Sequence, residues 1–323
     1  MKKIFFALCA VAALASCSNN EIVNLDQEAI AFDNAFVDNG TRATDNFTIE
    51  TNELFDFNVW ATTQRPEDQN GVAQPIVPIL NEVIVCRPDL VSSWVYPTAN
   101  TQYWIPGNTY QFVAVKNGTV NESLVNGLPA TITYNAADQL DLLYARDTRV
   151  GLQSGNAAVS FTFNHLLAKA YFTVKTLNMS GNNPNYTYVI KNVMVNNAAK
   201  VATCDVAGNV PVWAAATEFY NVGFGHVYSG AKLEAKQTYT SDFARLLIPA
   251  AYDNSLNITF TIETLYGDAV IDSRDYNETL SYEFKRNYEY NFVLELGNPG
   301  EEIKFSVNKV EGWKQDTETV PSI

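Results

Sequence analysis

Short apolar runs that alternate with polar residues, and stop at turn signals every ten residues or so, recur along this chain. They leave β-sheets as the regular structure it can build. Leu256-Asn257-Ile258-Thr259-Phe260-Thr261-Ile262 puts four apolar side chains on one face of a period-two strand, and Tyr288 to Leu296 is a second strand. Pro249, Asn117-Gly118 and Gly267-Asp268 punctuate the pattern as breakers or turns. Sustained helical periodicity is nearly absent. The 17 Tyr and 18 Phe residues suit the pleated, half-buried surface of a sheet. The expected fold is all-β, built as β-sandwiches. Ala157 to Leu177 is too long for an ordinary strand, so a bend is expected at His165-Leu166-Leu167-Ala168-Lys169. A domain boundary placed there gives an N-terminal sandwich over 45–156 and a C-terminal one over 157–323. Between Tyr186 and Val206 the pattern reads as three short strands: Tyr186 to Ile190, Val193 to Val195, and Lys200 to Val206.

The first forty-four residues are of a different kind. Lys2 and Lys3 precede an apolar run from Ile4 to Leu14, which closes on Leu14-Ala15-Ser16-Cys17. This has the shape of an export signal over residues 1–16, and it is too short for a bilayer span, which needs roughly twenty apolar residues. Leu-Ala-Ser-Cys resembles a bacterial lipobox, in which the Cys17 thiol is acylated and becomes the new N-terminus; acyl chains then anchor the protein. Residues 17–44 read as a polar tether followed by a strand in which Ile30, Phe32 and Phe36 share one face. Asn39-Gly40-Thr41-Arg42-Ala43-Thr44 follows as a polar loop with one basic residue, open to a protease.

Catalytic and ligand-binding motifs are sparse. A formal charge of −14 argues against nucleic acid, which needs clustered Lys and Arg. With two histidines, most imidazole-based catalytic or zinc sites are ruled out by number. His165 lies in an apolar run and reads as a hydrogen-bonded structural imidazole; His226 sits in Gly223-Phe224-Gly225-His226, which lacks the spacing of a phosphate cradle. Asp138, Asp141 and Asp147 lack the spacing of a calcium loop and read as turn and strand-edge residues. Trp94, Tyr96, Tyr103 and Trp104 form the densest aromatic group, suited to core packing or to stacking on a sugar. Cys86 and Cys204 could form a disulfide or lie buried as thiols. No catalytic residue, cofactor or metal ligand is assigned. Carboxylate pairs for glycoside hydrolysis are a matter of spatial arrangement, and the sequence singles out none.

Taken together, several segments resemble the fimbrillin family, the lipoprotein pilus subunits of Gram-negative anaerobes. They are the lipobox at Cys17, Ile30-Ala31-Phe32 ahead of Thr41-Arg42-Ala43, Leu142-Leu143-Tyr144-Ala145, the run from Val159 to Lys169, Arg286-Asn287-Tyr288-Glu289-Tyr290, and Ile303 to Trp313. The resemblance implies two tandem transthyretin-like sandwiches, no enzymatic activity, and export to the outer membrane with Cys17 acylated, palmitate being one such group. It also implies cleavage between Arg42 and Ala43, then polymerisation as a neighbour's strand fills the groove vacated by the leader, in a fimbrium used for adhesion. The implied partners are other fimbrial subunits, outer-membrane lipid, and a host or bacterial surface ligand. Burial of Ile30, Phe32 and Phe36 at about 1.5–3 kcal/mol each would supply about 5–9 kcal/mol, comparable with a domain's stability margin. The competing expectations are a lipid-anchored module that binds glycan or protein without polymerising, and a secreted hydrolase with its site spread over loops.

Overall fold

The computed structural model describes residues 28–37, 54–89, 91–120, 123–177, 185–249, 256–280, 284–297, 303–311 and 318–319. The fold is all-β; helical turns among the described residues are three short 3-10 turns, at Thr98–Asn100, Ala136–Asp138 and Tyr228–Gly230. Apart from two-residue strands, the first part of the chain contributes β1 (Phe32–Val37), β2 (Asp56–Gln64), β3 (Ile76–Cys86), β4 (Thr109–Lys116), β5 (Thr131–Asn135), β6 (Leu143–Val150) and β7 (Val159–His165). The longer strands that follow are β8 (Ala168–Thr176), β9 (Tyr186–Asp205), β10 (Glu218–Gly225), β11 (Leu256–Tyr266), β12 (Ala269–Leu280), β13 (Tyr288–Leu296) and β14 (Lys304–Glu311).

The first sheet has the order β1-β7-β6-β4-β2-β3. Strand β7 joins β6 only through Asn164 with Tyr144 and His165 with Leu143, and the two diverge from there. The β1–β7 pair therefore folds across the face of β2 and β4, as ring contacts between non-adjacent strands show: Phe32 lies 6.3 Å from Phe112, and Phe57 lies 5.6 Å from Phe161. The first core, enclosed here, includes Phe57, Val59, Val85, Phe112, Val159, Phe161 and Phe163. The opposite face of the same strands is buried too. Trp60, Val113, Val115 and Tyr144 pack with Ile132, Ala202, Cys204, Leu246 and Ile248 in a middle core. Two buried faces explain why Phe112 to Val115 is continuously apolar rather than alternating.

Strand β9 ties the two parts together. It is one strand of twenty residues, where the sequence pattern suggested three. Asn192 and Asn197 adopt positive φ within it, and the pairing register shifts nearby, so each asparagine sits at a bulge instead of a turn. The first part of β9 pairs with β11 from Tyr186–Tyr266 to Asn196–Asn257; its end pairs with β5 from Val201–Asn135 to Asp205–Thr131. Val193 and Val195 thus contribute to a third core with Phe172, Phe260, Phe292 and Val307, and Ala202 and Cys204 contribute to the middle one. The third core is closed by a sheet in which β13 runs parallel to β8 and antiparallel to β14.

The bend expected within 157–177 falls at Leu166–Leu167, both wholly buried in the middle core. Strand β7, before it, stays in the first sheet, so the chain crosses between sheets after His165 and not at residue 157. The pairing of β5 with β9 crosses that line in the other direction. A shared core predicts one unfolding event. Ile132→Ala should cost about 2–5 kcal/mol and shift chemical denaturation as a single transition, read alike by tryptophan fluorescence and by hydrogen exchange in β11 and β13. Two separated transitions would contradict the shared core.

Candidate functional site: the groove that holds the leading strand

The segment 28–37 is held along both sides. On one side β1 runs parallel to β7, pairing Phe32 with Val159 and Val37 with Phe163, and the Val159 amide donates to the Ala31 carbonyl at 2.8 Å. On the other side the Ile30 amide donates to the Gln102 carbonyl at 2.8 Å, and the Trp104 amide donates to the Glu28 carbonyl at 2.9 Å. The Tyr96 hydroxyl closes over the strand and donates to the Ile30 carbonyl at 2.7 Å. The strand therefore fills a groove between β7 and the 96–104 loop.

Its side chains complete the first core. Ile30 is 1% exposed and Phe32 5%. The Phe32 ring stacks on Phe161 at 6.0 Å and meets Tyr96 edge-on at 5.4 Å. At about 1.5–3 kcal/mol for each buried side chain, these two supply about 3–6 kcal/mol. Beyond Phe32 the pairing register changes. An irregularity between Asp33 and Ala35 admits one extra residue, and beyond it Ala35 and Val37 pack on the core and Phe36 pairs with Thr162. The side chain of Phe36 is outside the described residues. Val159 to Phe163 find no strand partner apart from β1 among the described residues, so loss of β1 would open both a hydrogen-bonding edge and an apolar groove.

One polar anchor fixes where the strand begins. The Glu28 carboxylate accepts from the Gly155 amide at 2.7 Å, the Asn156 amide at 2.6 Å and Asn156 Nδ2 at 2.8 Å. Gly155 adopts φ +73, a conformation open to glycine, which lets the successive amides converge on an anion. Asn156 is itself held, its Oδ1 accepting from the Leu152 amide at 2.7 Å. The Gly155 amide first, and then the Asn156 side chain and amide, hold the Glu28 carboxyl below its ordinary value of 4.5.

Cys17, Arg42 and Ala43, read from the sequence as lipidation and processing residues, lie outside the described residues. Of the four clustered aromatics, Trp94 and Trp104 are buried in the first core, Tyr96 covers the leading strand and Tyr103 is exposed at the groove's end. His165 is 1% exposed and its Nδ1 lies 2.7 Å from Asp141 Oδ2, while Asp147 pairs with Arg149 at 2.6 Å. Among the described residues no three His, Cys, Asp or Glu side chains come together as a metal site. Cys204 is a free buried thiol, so it does not pair with Cys86, and burial pushes it up to about 12. Sequence reasoning missed Glu28, Tyr96 and Asn156 as parts of the groove. Polar residues at long separation carry no periodic signal, although Gly155-Asn156 just before an apolar strand marks a turn.

The chain belongs to the fimbrillin-like family, whose model matches residues 41–313. Residues 1–18 match the prokaryotic membrane lipoprotein lipid attachment site, which includes Cys17. Among solved structures, a fimbrial protein from Bacteroides vulgatus is similar at a TM-score of 0.59 and 15% identity, over 79% of this chain and 92% of that one. A proposed cell adhesion protein from Bacteroides ovatus is similar at a TM-score of 0.53 and 15% identity, over 90% of this chain and 99% of that one. At these identities the likeness is one of fold. No curated protein matches the chain. Among the described residues no helix is long and apolar enough to cross a membrane.

Two consequences follow for the groove. Phe32→Ala should cost about 3–5 kcal/mol, lower the midpoint of the single unfolding transition, and quicken hydrogen exchange most in β1 and β7, where the strand can also be released locally. Because the Glu28 carboxyl is lowered in the folded state, its contribution is full above pH 4.5 and is lost as the pH falls through the lowered value. Exchange at the Gly155 and Asn156 amides, corrected for intrinsic rates, should quicken over that interval in the native chain and show no such step in Glu28→Gln.

Proposed function

We propose that the chain is a structural pilus subunit without catalytic activity, exported as a lipoprotein. It is acylated at Cys17, held at the outer membrane, cut between Arg42 and Ala43, and assembled when a neighbouring subunit's strand enters the groove left by residues 28–37. The observation that carries this reading is that the leading strand is bound as an inserted strand: backbone pairs on both sides, with Ile30 and Phe32 in the core. Arg42 falls in the connection from β1 to the rest of the domain, so a single cut there would turn the strand from a covalent part into an exchangeable one. Family membership supports assembly with other fimbrial subunits, and the lipid attachment site supports membrane anchoring. The finished fimbrium would carry adhesion to a host or bacterial surface ligand.

The test compares the purified uncut protein with the protein cut after Arg42, each followed by light scattering at rising concentration. Only the cut form should grow into multimers, and Arg42→Ala should remove surface filaments from cells while leaving the amount of protein unchanged. A cut form that stays monomeric, with filaments unaffected by Arg42→Ala, would instead favour a lipid-anchored module that binds glycan or protein without polymerising.

A further inference from the structure

The end of the groove at which Glu28 sits also carries an apolar rim. Trp104 donates its amide to the Glu28 carbonyl and buries its indole, which leaves the residues on either side of it, Tyr103 and Ile105, exposed. The Gly107 amide donates to the Gly151 carbonyl, and a Cβ at Gly151 would collide with the Ile105 carbonyl oxygen. This close approach sets the flanking Val150 and Leu152 beside the same loop, and both are more than half exposed. Leu152 is tied in turn to Asn156, which holds the Glu28 carboxylate. Four exposed apolar side chains therefore lie about the point at which the chain arrives from Cys17.

We propose that this rim is a membrane-contact face: while the leading strand is attached, Tyr103, Ile105, Val150 and Leu152 enter the interfacial layer of the bilayer that holds the acylated Cys17. The inference rests on the lipid-anchor reading above and adds a second contact with the same bilayer. Two observations choose a lipid surface as the occupant. The first is reach. Positions 17 and 28 are eleven apart, and eleven residues span at most about 40 Å. The anchor is thus kept close to the rim, whatever path those residues take. The second is charge. In a chain of formal charge −14 with 17% charged residues, no Asp, Glu, Lys or Arg occurs from Val91 to Val115 or from Val150 to Ala168. Near these stretches, Asp147 and Arg149 pair with each other, and the Glu28 carboxylate accepts from three donors. A surface of anionic headgroups repels an acidic protein, so an uncharged end is the one that can approach it. Aliphatic side chains with a tyrosine among them suit the boundary between headgroups and acyl chains, where one end of the ring is apolar and the other wet.

The test uses the full, uncut, acylated chain on vesicles of mixed phosphatidylethanolamine and phosphatidylglycerol. An environment-sensitive fluorescent amino acid replaces Leu152 in one sample and Val270, an exposed residue of β12, in another. On vesicles the probe at 152 should shift its emission to the blue and lose most of its quenching by aqueous iodide, while the probe at 270 should keep both. Ile105→Ser with Val150→Ser changes two exposed side chains; it should restore iodide access at 152 although the chain still floats with the vesicles. Equal iodide access at 152 and 270 overturns the inference and leaves the lipid anchor intact. Shielding at 152 that appears without vesicles in the unacylated Cys17→Ser chain, and grows with its concentration, makes the rim an interface between copies and also overturns it. An unsubstituted chain that fails to float with the vesicles removes the anchor and the inference together.

Discussion

The pairing of β1 with β7 is the interaction on which the first half of this molecule depends. Strand β7 diverges from β6 after two residue pairs, so among the described residues the stretch from Val159 to Phe163 would, without β1, have a bare edge on both sides. The same strand brings Ile30 and Phe32 into a core of aromatic rings that lie about one ring's width apart. Its removal would therefore cost hydrogen bonds and apolar burial together. Such a site is tight while the strand is attached and demanding once it is gone.

A groove of this kind needs a rigid frame. The middle core supplies one by burying the second face of β2, β4 and β6 against β5 and the end of β9, and β9 continues into the third core without a break. Opening the groove would then remove one strand and leave the layers behind it in place.

Much of this was legible in the residues. Alternation from Leu256 to Ile262 and the composition identified an all-β chain, and the even spacing of Ile30 and Phe32 marked a strand with one apolar face. The register beyond Asp33 was not legible, because a bulge before Ala35 inserts one residue with no mark in the hydrophobic pattern. The three short strands expected between Tyr186 and Val206 are one, because the tolerance of Asn192 and Asn197 for positive φ lets each occupy a bulge inside a long strand. The placement of β7 was hidden for another reason. Its sequence is equally apolar on either side of the bend at Leu166–Leu167, and only three-dimensional pairing decides which sheet it joins. The Glu28 anchor depends on residues separated by more than a hundred positions, which no periodicity reveals.

A reversible lock on the leading strand tests the account most directly. Asp33 and Ser160 are paired neighbours on β1 and β7, within reach of an engineered disulfide, so the double variant Asp33→Cys with Ser160→Cys can tether the strand to its groove. After cutting at Arg42, the oxidised protein should remain monomeric by light scattering, and reductant should start its assembly. Assembly of the oxidised, cut protein at the same rate as the reduced one would contradict the claim that this groove, once emptied, is what joins one subunit to the next.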